Sequence, residues 1–389
     1  MMQHENRLRI GRREFMGLAS TAAAGLVSWS HASSVGAAQT VNPALSSDQD
    51  ISWLEYQNKI YGAKPDDKGP LGGGSGYSSS FTKGDFEVSD VDSLLQALLE
   101  ATSGQVIYVK GDIVLDLTPR IFIEQLELKI PPGVTLASNR GVDGSEGAVI
   151  CSDTLDTKVM MRALGPNVRI TGIRLRGPNS KRHMKHHARS FGPNGLGRDY
   201  YYRFPVSKGI ETCYPIEIDN CELSAFSHCA IYLRDGTGHH IHHNFIHQCQ
   251  YNGLGYGVSH NTSFSLIEYN LFDENRHSIA GTGAPSSGYI ARHNLEAGIS
   301  LSHCFDMHGG RDRKDGTDIA GTTIEIYNNT FRAPQRAVVI RGIPEEKCDI
   351  YQNWFTAHAD EEAAIGGVST KTRVSDNVYG ASPFLSHIL

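Results

Sequence analysis

The sequence Ile241-His-His-Asn244-Phe-Ile246 is one copy of a phrase that returns through the second half of the chain. An apolar residue is followed, after two free positions, by a slot that usually holds Asn, and apolar or aromatic residues follow the slot. Further copies occupy 267–272, 291–295, 326–331, 350–355 and 374–379, and two earlier ones occupy 170–175 and 218–223. In chain order the slot residues are Ile173, Cys221, Asn244, Asn270, Asn294, Asn329, Asn353 and Asn377.

These slots lie 48, 23, 26, 24, 35, 24 and 24 positions apart. A repeat of about two dozen residues, with alternating strands, many glycines and no helical spacing, predicts a stacked β-solenoid whose turns share one interior. Asn at the slot suits a sharp bend because it tolerates left-handed backbone, and stacked copies are expected to hydrogen-bond as a ladder. The alternative is a β-sandwich whose regularity is accidental.

Composition limits the class of protein. The 389 residues allow one large domain or two small ones, and 39% hydrophobic residues with 41 glycines suit a turn-rich β protein. No apolar run reaches the roughly 20 residues of a membrane-spanning helix, so no membrane span is predicted. The formal charge is −6 at pH 7, and it becomes −8 without residues 1–38, which argues against a general nucleic-acid or membrane binder.

Residues 1–38 have the pattern of a targeting segment. Gly11-Arg-Arg-Glu-Phe-Met-Gly17 precedes a mildly apolar run and then small residues ending at Ala38. This resembles a twin-arginine signal peptide, which implies export of a folded protein to the periplasm or the cell exterior. We therefore exclude it from the fold, and we do not infer a cofactor from the route.

The cysteines are expected to pack rather than to form disulfides. No Cys-x-x-Cys pair is present, so a zinc cage is not expected. Most of the cysteines lie inside the repeats, where Cys behaves as a small buried hydrophobe. The seven are Cys151, Cys213, Cys221, Cys229, Cys249, Cys304 and Cys348.

The rest of the chain divides into a lead and a repeat domain. Residues 39–84 look irregular, and the glycine-rich 71–76 is either a linker or a loop lying on the solenoid. A helix begins near Ser89, where Ser or Asp caps it, and ends at Gly104. A helix at this place is expected to cover the first turn of the coil. The repeat domain is 85–389, with inserts near 177–208 and 305–318.

Three stretches here resemble the opening of pectate-lyase-type proteins: Asp92-Ser-Leu-Leu-Gln-Ala-Leu-Leu, 105–113 and 130–136, continued at 168–175. The resemblance covers about residues 85–380. It implies an all-β, single-domain, right-handed parallel β-helix with an N-terminal capping helix. It does not fix the reaction, because this fold hosts lyases, hydrolases, epimerases and phage tailspikes. The calcium aspartates and the Arg-containing signature of pectate lyases are not identifiable.

The first insert reverses the sign of the charge locally. Its basic residues, against Asp199 alone, are Lys181, Arg182, Lys185, Arg189, Arg198, Arg203 and Lys208. With Tyr200, Tyr201 and Tyr202 for stacking, it would suit the carboxylates or sulfates of an acidic polysaccharide. The alternatives are a solvated loop or, less favoured, a nucleic-acid site, which lacks an aromatic platform here.

Counting back from the slots predicts two polar columns on an outer wall, since neighbouring turns lie about 4.8 Å apart. The first column is Tyr232, Thr282, His308 and Arg341, flanked by Asp306 and Val339. The second is Ser227, Asn252 or Gly253, His277, His303, Arg336 and Asp360, with Arg276 and Arg292 near it. Structural hydrogen bonding is the alternative for each histidine. His240, His242 and His243 are read as a solvated turn, with a metal site as the alternative.

These residue types suit β-elimination from a uronate polysaccharide, in which a base removes a proton, a cation neutralises the carboxylate and an acid protonates the leaving oxygen. We expect His277 or His308 as base, Arg276, Arg313 or Arg341 as neutraliser, and Tyr256 or His303 as acid, with Asp306 beside them. The residues expected to bind substrate are Lys185, Arg189, Arg198, Arg292, Arg311, Arg336 and Tyr232.

Other reactions remain open. A glycoside hydrolase needs two carboxylates, and Asp306, Asp312, Asp315 and Asp318 supply one without an obvious second. A uronate epimerase or a non-catalytic carbohydrate-binding solenoid is also compatible. No cofactor is required by the pattern, and a divalent cation such as calcium is the open alternative.

Overall fold

The computed structural model describes residues 51–381, so the expected signal peptide lies outside the described residues. The helices are α1 (Val91–Glu100), α2 (Thr118–Glu124), α3 (Met184–Phe191), α4 (Gly197–Tyr201), α5 (Gly310–Arg313) and α6 (Glu361–Ala364), and a 3-10 turn spans Val142–Gly144. None of the helices in this part of the chain is long and apolar enough to cross a membrane.

The strands are numerous and mostly short. The first fourteen are β1 (Trp53–Tyr56), β2 (Lys59–Gly62), β3 (Phe86–Val88), β4 (Val106–Val109), β5 (Val114–Asp116), β6 (Leu128–Ile130), β7 (Thr135–Ala137), β8 (Val149–Cys151), β9 (Met161–Ala163), β10 (Val168–Thr171), β11 (Arg174–Arg176), β12 (Lys208–Thr212), β13 (Ile216–Asp219) and β14 (Glu222–Ser224). The remainder are β15 (Cys229–His242), β16 (Phe245–His247), β17 (Tyr256–Glu268), β18 (Leu271–Asp273), β19 (His277–Gly281), β20 (Gly288–Arg292), β21 (Leu295–Glu296), β22 (Phe305–Met307), β23 (Thr323–Tyr327), β24 (Thr330–Phe331), β25 (Val338–Ile340), β26 (Lys347–Tyr351), β27 (Trp354–Phe355), β28 (Ile365–Gly366), β29 (Thr372–Ser375) and β30 (Val378–Tyr379).

Parallel pairing arranges β3 to β30 in three sheets, and each turn of the chain gives one strand to each sheet. The first sheet holds β6, β9, β12, the start of β15, the start of β17, β19, β22, β25 and β28. The second holds β3, β4, β7, β10, β13, the ends of β15 and β17, β20, β23, β26 and β29. The third holds β5, β8, β11, β14, β16, β18, β21, β24, β27 and β30.

The core is the space between the three sheets. Apolar side chains in register stack along it from turn to turn, so that each turn completes the interior of its neighbours. In the first sheet the stack is Ile231, Val258, Ile279, Phe305 and Val338, all fully buried. In the third sheet Phe331 and Phe355 stack with ring centroids 5.1 Å apart. The predicted all-β, right-handed parallel β-helix is thus confirmed, and the β-sandwich alternative is wrong.

The predicted asparagine ladder is present at the corner between the second and third sheets. Asn294 is representative: its backbone N–H donates to Asn329 Oδ1 at 2.9 Å, and its Nδ2 donates to Ile267 O at 2.8 Å. The bend itself differs from the expectation. The left-handed residue is the one before each Asn, for example His293 at φ 51°, and the Asn holds the neighbouring turn by its side chain.

The lead is better ordered than predicted. β1 and β2 form an antiparallel hairpin, and the chain then runs along the ladder corner. Gly72 N donates to Tyr269 O, and Gly74 N donates to Asn220 Oδ1 at 2.7 Å. Gly73 has φ 67°, and a Cβ on it would lie 2.3 Å from His243 O, so the glycines let this segment lie flat on the coil.

Three further expectations can be compared with the structure. α1 lies where a helix was predicted, with Asp90 accepting from Ser93 N at 2.8 Å, whereas its role as an end cap stays a prediction. The first insert, between β11 and β12, contains α3 and α4, and the second begins after β22, because 305–307 belong to the first sheet. All seven cysteines are free thiols, and all but Cys213 are buried, as predicted.

Candidate active site on the first sheet

A buried carboxylate organises the outer face of the first sheet. Asp306, on β22, is 0% exposed, and Arg341 grips it with Nε 3.0 Å from Oδ1 and Nη2 2.8 Å from Oδ2. His303 Nε2 lies 3.1 Å from Oδ1, and His308 Nε2 lies 3.0 Å from Oδ2. Burial alone would raise the pKa of Asp306, but hydrogen bonds from the two histidines hold that pKa well below its usual value. The carboxylate is therefore ionised, and Arg341 donates to both of its oxygens.

His277 lies beneath this cluster. Its Nδ1 donates to the backbone oxygen of His303 at 2.6 Å, so Nε2 carries the lone pair and lies 4.0 Å from Asp306 Oδ2. Burial, with the positive charge of Arg276, lowers the pKa of His277 well below 6.5. The ring is 0% exposed and stacks on Tyr256, with centroids 5.7 Å apart. His277 is thus a neutral imidazole within the wall and not on its surface.

Tyr256 and Arg276 form the neighbouring part of the wall. The guanidinium of Arg276 lies 5.9 Å from the centroid of the Tyr256 ring, and its Nη1 donates to Leu254 O at 3.3 Å. No carboxylate within residues 51–381 pairs with Arg276. Burial raises the pKa of Tyr256, so this phenol keeps its proton at neutral pH. Arg276 therefore brings a positive charge that the described residues do not neutralise.

The first predicted column is wrong at one position. Thr282, His308 and Arg341 are in register, as predicted. Tyr232 is not in register with them, because its partners on successive turns are Ser259 and Ala280. Ala280 is the neighbour of Asp306, so Tyr232 lies in the row of Asp306 and not in the row of His308. Tyr232 instead lies under Lys208, whose Nζ is 4.7 Å from the ring centroid. Counting back from the Asn slot fails there because the corner between the first two sheets varies in length from turn to turn.

The second column is corrected in the same way. His277, His303 and Arg336 are in register as predicted, and Tyr256 joins them. Ser227, Asn252 and Gly253 fall outside, because Tyr256 pairs with Cys229 in the preceding turn. Asp360 is the N-cap of α6 and accepts from Ala363 N. The structure thus brings together His277, His303, His308, Arg341, Asp306, Tyr256 and Arg276.

Other predicted site residues are engaged elsewhere. Arg292 is on β20 of the second sheet and pairs with Glu268 at 2.6 Å, away from the Asp306 cluster. Arg313 ties the second insert together, with bonds to Asp315 Oδ2, Thr282 O and Ile319 O. Arg311 pairs with Asp318, and Arg336 donates to Glu362 O at 3.1 Å. Of these, Arg292 and Arg313 are poor candidates for carboxylate recognition, because their donors are already used.

The first insert is a packed subdomain and not a loose loop. Tyr201 is buried, stacks on Tyr251 with centroids 5.2 Å apart, and donates its hydroxyl to Asn252 O. Of the three consecutive tyrosines at 200–202, Tyr200 and Tyr202 are therefore the two whose rings are accessible for stacking. The segment that Tyr201 holds, 251–253, leads directly into Tyr256. The insert therefore borders the wall on which the Asp306 cluster lies.

The insert presents positive charge without neutralising partners. Within residues 51–381, no carboxylate pairs with Lys185, Arg189 or Arg198, all of which are exposed. A surface pocket of about 420 Å³ is lined by Lys181, His183, Met184, Lys185, His186, Arg189 and Phe204. Lys208 differs from the other cations, because it pairs with the buried Glu211 at 2.7 Å.

The predicted alternative of calcium does not fit the Asp306 cluster. Calcium takes 6–8 oxygen ligands, whereas this cluster offers one carboxylate that Arg341 already holds. Donor atoms of His277, His303 and Asp306 do lie within 4.8 Å of one another, which is a nitrogen-rich set that suits a transition metal better.

The histidine-rich stretch is not the solvated turn that was predicted. His239, His242 and His243 are each 1% exposed. His242 and His243 contact carboxylates on other elements, Glu217 and Asp66. The alternation of histidines across Ile241 was the signal that these side chains face a sheet surface.

No family model matches the sequence, and no curated protein matches it. Among solved structures, the chain is similar to an alginate lyase from Paenibacillus sp. strain FPU-7, with 12% identity and a TM-score of 0.39 over 76% of this chain and 97% of that one. It is also similar to a family 28 exopolygalacturonase from Yersinia enterocolitica, with 10% identity and a TM-score of 0.42 over 78% and 76% of the two chains. The A-module of an Azotobacter vinelandii mannuronan C-5 epimerase gives 14% identity and a TM-score of 0.30 over 81% and 98%.

Proposed function

We propose that this protein is an exported polysaccharide lyase that cleaves an acidic, uronate-containing polysaccharide by β-elimination. The observation that carries the proposal is the Asp306 cluster, in which one ionised carboxylate holds two partly exposed histidines and an arginine on one outer wall. The exposed cations of the first insert border the same wall and suit a polyanionic chain.

His308 is the base in this proposal. Its Nε2 faces the Asp306 carboxylate at 3.0 Å, where a lone pair would be repelled, so Nε2 carries the proton and Nδ1 the lone pair. The side chain is 26% exposed, whereas His277 is 0% exposed and cannot reach a substrate from its place in the wall. We assign His277 a positioning role, since it fixes the backbone of His303.

Arg276 is the neutraliser. Arg341 donates to Asp306 from the edge formed by its Nε and Nη2, and its Nη1 lies 3.3 Å from Asp312 Oδ1, so most of its charge is compensated. Arg276 has no such partner among the described residues and lies beside Tyr256. A carboxylate bound there would gain a charge-assisted hydrogen bond, which is the interaction that grows as the enolate forms.

The proton balance of the reaction is complete without a co-reactant. The base takes the proton from C5, the C4–O bond to the leaving sugar breaks, a C4–C5 double bond forms, and an acid returns a proton to the leaving oxygen. Tyr256, whose raised pKa keeps it protonated, and His303 are the two donors beside the cluster.

Glycoside hydrolysis is less well supported by this cluster. A hydrolase needs a protonated carboxyl group as general acid, with a raised pKa. Asp306 has the opposite property, because its histidine partners hold it ionised. Uronate epimerisation remains the second candidate function, because it begins with the same removal of a proton by a base.

The test is incubation with alginate, pectate, glucuronan and glycosaminoglycans, followed by the ultraviolet absorbance of unsaturated uronates and by product mass spectrometry. The expected result is an unsaturated product from at least one polymer, reduced about 10²–10⁴-fold in His308→Ala. His247→Ala removes another histidine–carboxylate pair, on the third sheet, and is expected to keep full activity. Reducing ends without unsaturation would select a hydrolase, altered uronate composition without cleavage would select an epimerase, and no product would contradict the proposal.

A further inference from the structure

A second group of chemistry-bearing side chains lies on the outer face of the second sheet, away from the Asp306 cluster. Glu217 on β13 pairs in register with His240 on β15, so the two residues sit side by side on consecutive turns. His242 lies two residues further along β15. One donor atom from each of the three lies within 4.8 Å of the other two. The lyase proposal uses none of them.

His242 directs a nitrogen lone pair at the carboxylate of Glu217, as the hydrogen bonds behind its ring require. Asp66 Oδ1 can only accept, so His243 Nε2, 3.0 Å away, carries a proton. His243 Nδ1 is then an acceptor, and the His242 Nδ1 that faces it at 3.0 Å must be the donor. His242 Nε2 is left with a lone pair 3.1 Å from Glu217 Oε1, which is also an acceptor. Either a metal cation between these atoms or a second proton on His242 relieves the repulsion.

We propose that Glu217, His240 and His242 bind a divalent transition-metal ion of the zinc class. Zinc binds imidazole nitrogen and carboxylate oxygen at about 2.0–2.2 Å, which places neighbouring ligand atoms of a tetrahedral site about 3.4 Å apart. The 3.1 Å between His242 Nε2 and Glu217 Oε1 is close to that value. Two imidazoles with one carboxylate suit zinc, cobalt or nickel, and not calcium or magnesium.

The surroundings supply the outer shell that metal-binding histidines have. The chain Asp66–His243–His242 orients the His242 ring through its other nitrogen. His240 Nε2 lies 2.8 Å from Glu268 Oε1, and Arg292 Nε holds the other oxygen of Glu268 at 2.6 Å. Both histidines are thus fixed from behind by a carboxylate, directly for His240 and through His243 for His242.

The position of the site indicates that a bound ion would stabilise the folded state. Its ligands come from two consecutive turns, and Asp66 belongs to the lead that lies along the ladder corner. An ion there would fasten two turns and the lead together, and binding to the folded state alone stabilises it by mass action. His240 and Glu217 are partly exposed, so the ion can enter from solvent and keep a water as a further ligand.

The experiment uses the full chain without an affinity tag, after removal of metal with a chelator. Calorimetric titration with Zn²⁺ is expected to show one site that Ca²⁺ does not fill, and Co²⁺ is expected to give the visible absorption of a nitrogen- and oxygen-ligated ion. The melting temperature is expected to rise with Zn²⁺. His240→Ala and Glu217→Gln should lose both effects while melting cooperatively without metal.

Two control variants separate this site from its alternatives. His247→Ala removes a histidine paired with Glu222 on the third sheet and should bind Zn²⁺ as the parent does. His303→Ala removes a donor of the other nitrogen-rich group and should also bind one ion. Absence of binding at micromolar Zn²⁺, or binding lost in His303→Ala but kept in His240→Ala, would overturn the proposal. In the former case His242 is a doubly protonated partner of Glu217.

Discussion

At the scale of single residues, Asp306 decides the geometry of the outer wall. It is fully buried, yet three side chains that it contacts, those of His303, His308 and Arg341, remain partly exposed. A buried acceptor therefore fixes the direction of three groups that a substrate can reach. Such support of reacting groups from behind keeps them in place at the moment of reaction.

Replacing Asp306 by Asn is expected to reduce turnover by about 10²–10⁴-fold, because the amide keeps the shape but no longer fixes the proton of His308 on Nε2. The free energy of unfolding should fall by about 3 kcal/mol, since Arg341 loses a buried partner. Urea unfolding and product formation measure the two effects. Asp318→Asn removes the exposed partner of Arg311 and should change neither. Unaltered turnover in Asp306→Asn would argue against this role.

Which of these residues meet could be predicted only in part. His277, His303 and Arg336 were placed in one column from spacing alone, and the structure agrees. Tyr232 was misplaced because the register depends on corner lengths, which an Asn slot one corner away does not fix. The pairing of His242 with Glu217 depends on which turns become neighbours, and the sequence carries no local sign of it.

At the scale of elements, the asparagine ladder shows how one repeated residue specifies a corner. Each Asn side chain from Asn244 to Asn353 donates its Nδ2 to a backbone oxygen of the preceding turn, and each is fully buried. The recurrence predicted the ladder, whereas the left-handed residue before it follows no residue type, since His243, Tyr269 and Gln352 all adopt it. The bend is therefore imposed by the ladder bonds and not by local preference.

Asn329→Ala is expected to lower the free energy of unfolding by about 2–4 kcal/mol, because backbone N–H and C=O groups at a buried corner lose their partners. Asn329 accepts from Asn294 N and donates to Ala291 O at 2.8 Å. Asn377 lies at the end of the described ladder and is partly exposed, so it is the matched comparison. Asn377→Ala should lower the free energy of unfolding by less than Asn329→Ala does. Chemical denaturation of both variants checks the order, and equal losses would contradict the ladder account.

The first insert is the element that we expect to bind the polyanion. Lys185→Glu with Arg189→Glu should raise KM several-fold and leave kcat nearly unchanged, because these cations lie outside the Asp306 cluster and attract the chain by charge. The increase should shrink at high salt, where such attraction is screened. The control pair Lys83→Glu with Arg373→Glu changes net charge equally on exposed residues outside the first sheet. If both double variants raised KM to the same extent, the first insert would have no specific part in binding the polyanion.

At the scale of the whole molecule, the coil buries ionisable groups in the continuous core, and these limit the pH range of its stability. His260 on β17 is fully buried, and burial lowers its pKa to about 4 from 6.5. Its ring bonds to Ala280 O and Ser265 Oγ as a neutral imidazole. Because the unfolded chain takes up a proton below pH 6.5 and the folded one does not, stability is lost as the pH falls from about 6.5 to 4.

His260→Gln is expected to remove about 1.4 kcal/mol per pH unit from the slope of stability against pH over that window. The slope, and not the absolute stability, is the quantity to compare, because the substitution also changes packing. Urea unfolding at several pH values between 4 and 7 measures it. His228 and His293 are only partly buried, yet desolvation lowers the pKa of each to about 4, so they keep a residual slope in the variant. An unchanged slope would mean that His260 is charged in the folded protein.

The alkaline side is limited by Glu296, which occupies an inward position that the repeat otherwise fills with apolar residues. It pairs in register with Phe272 and Phe331, and burial raises its pKa to about 8 from 4.5. A raised folded pKa gives stability that is complete below pH 4.5 and is lost as the pH rises through 8. At pH 7 this protonation costs roughly 3 kcal/mol, from about 1.4 kcal/mol per pKa unit. Glu296→Leu should therefore be more stable than the parent at pH 8, with the difference shrinking towards pH 5, in parallel urea titrations. A pH-independent difference would show that packing and not ionisation distinguishes the two.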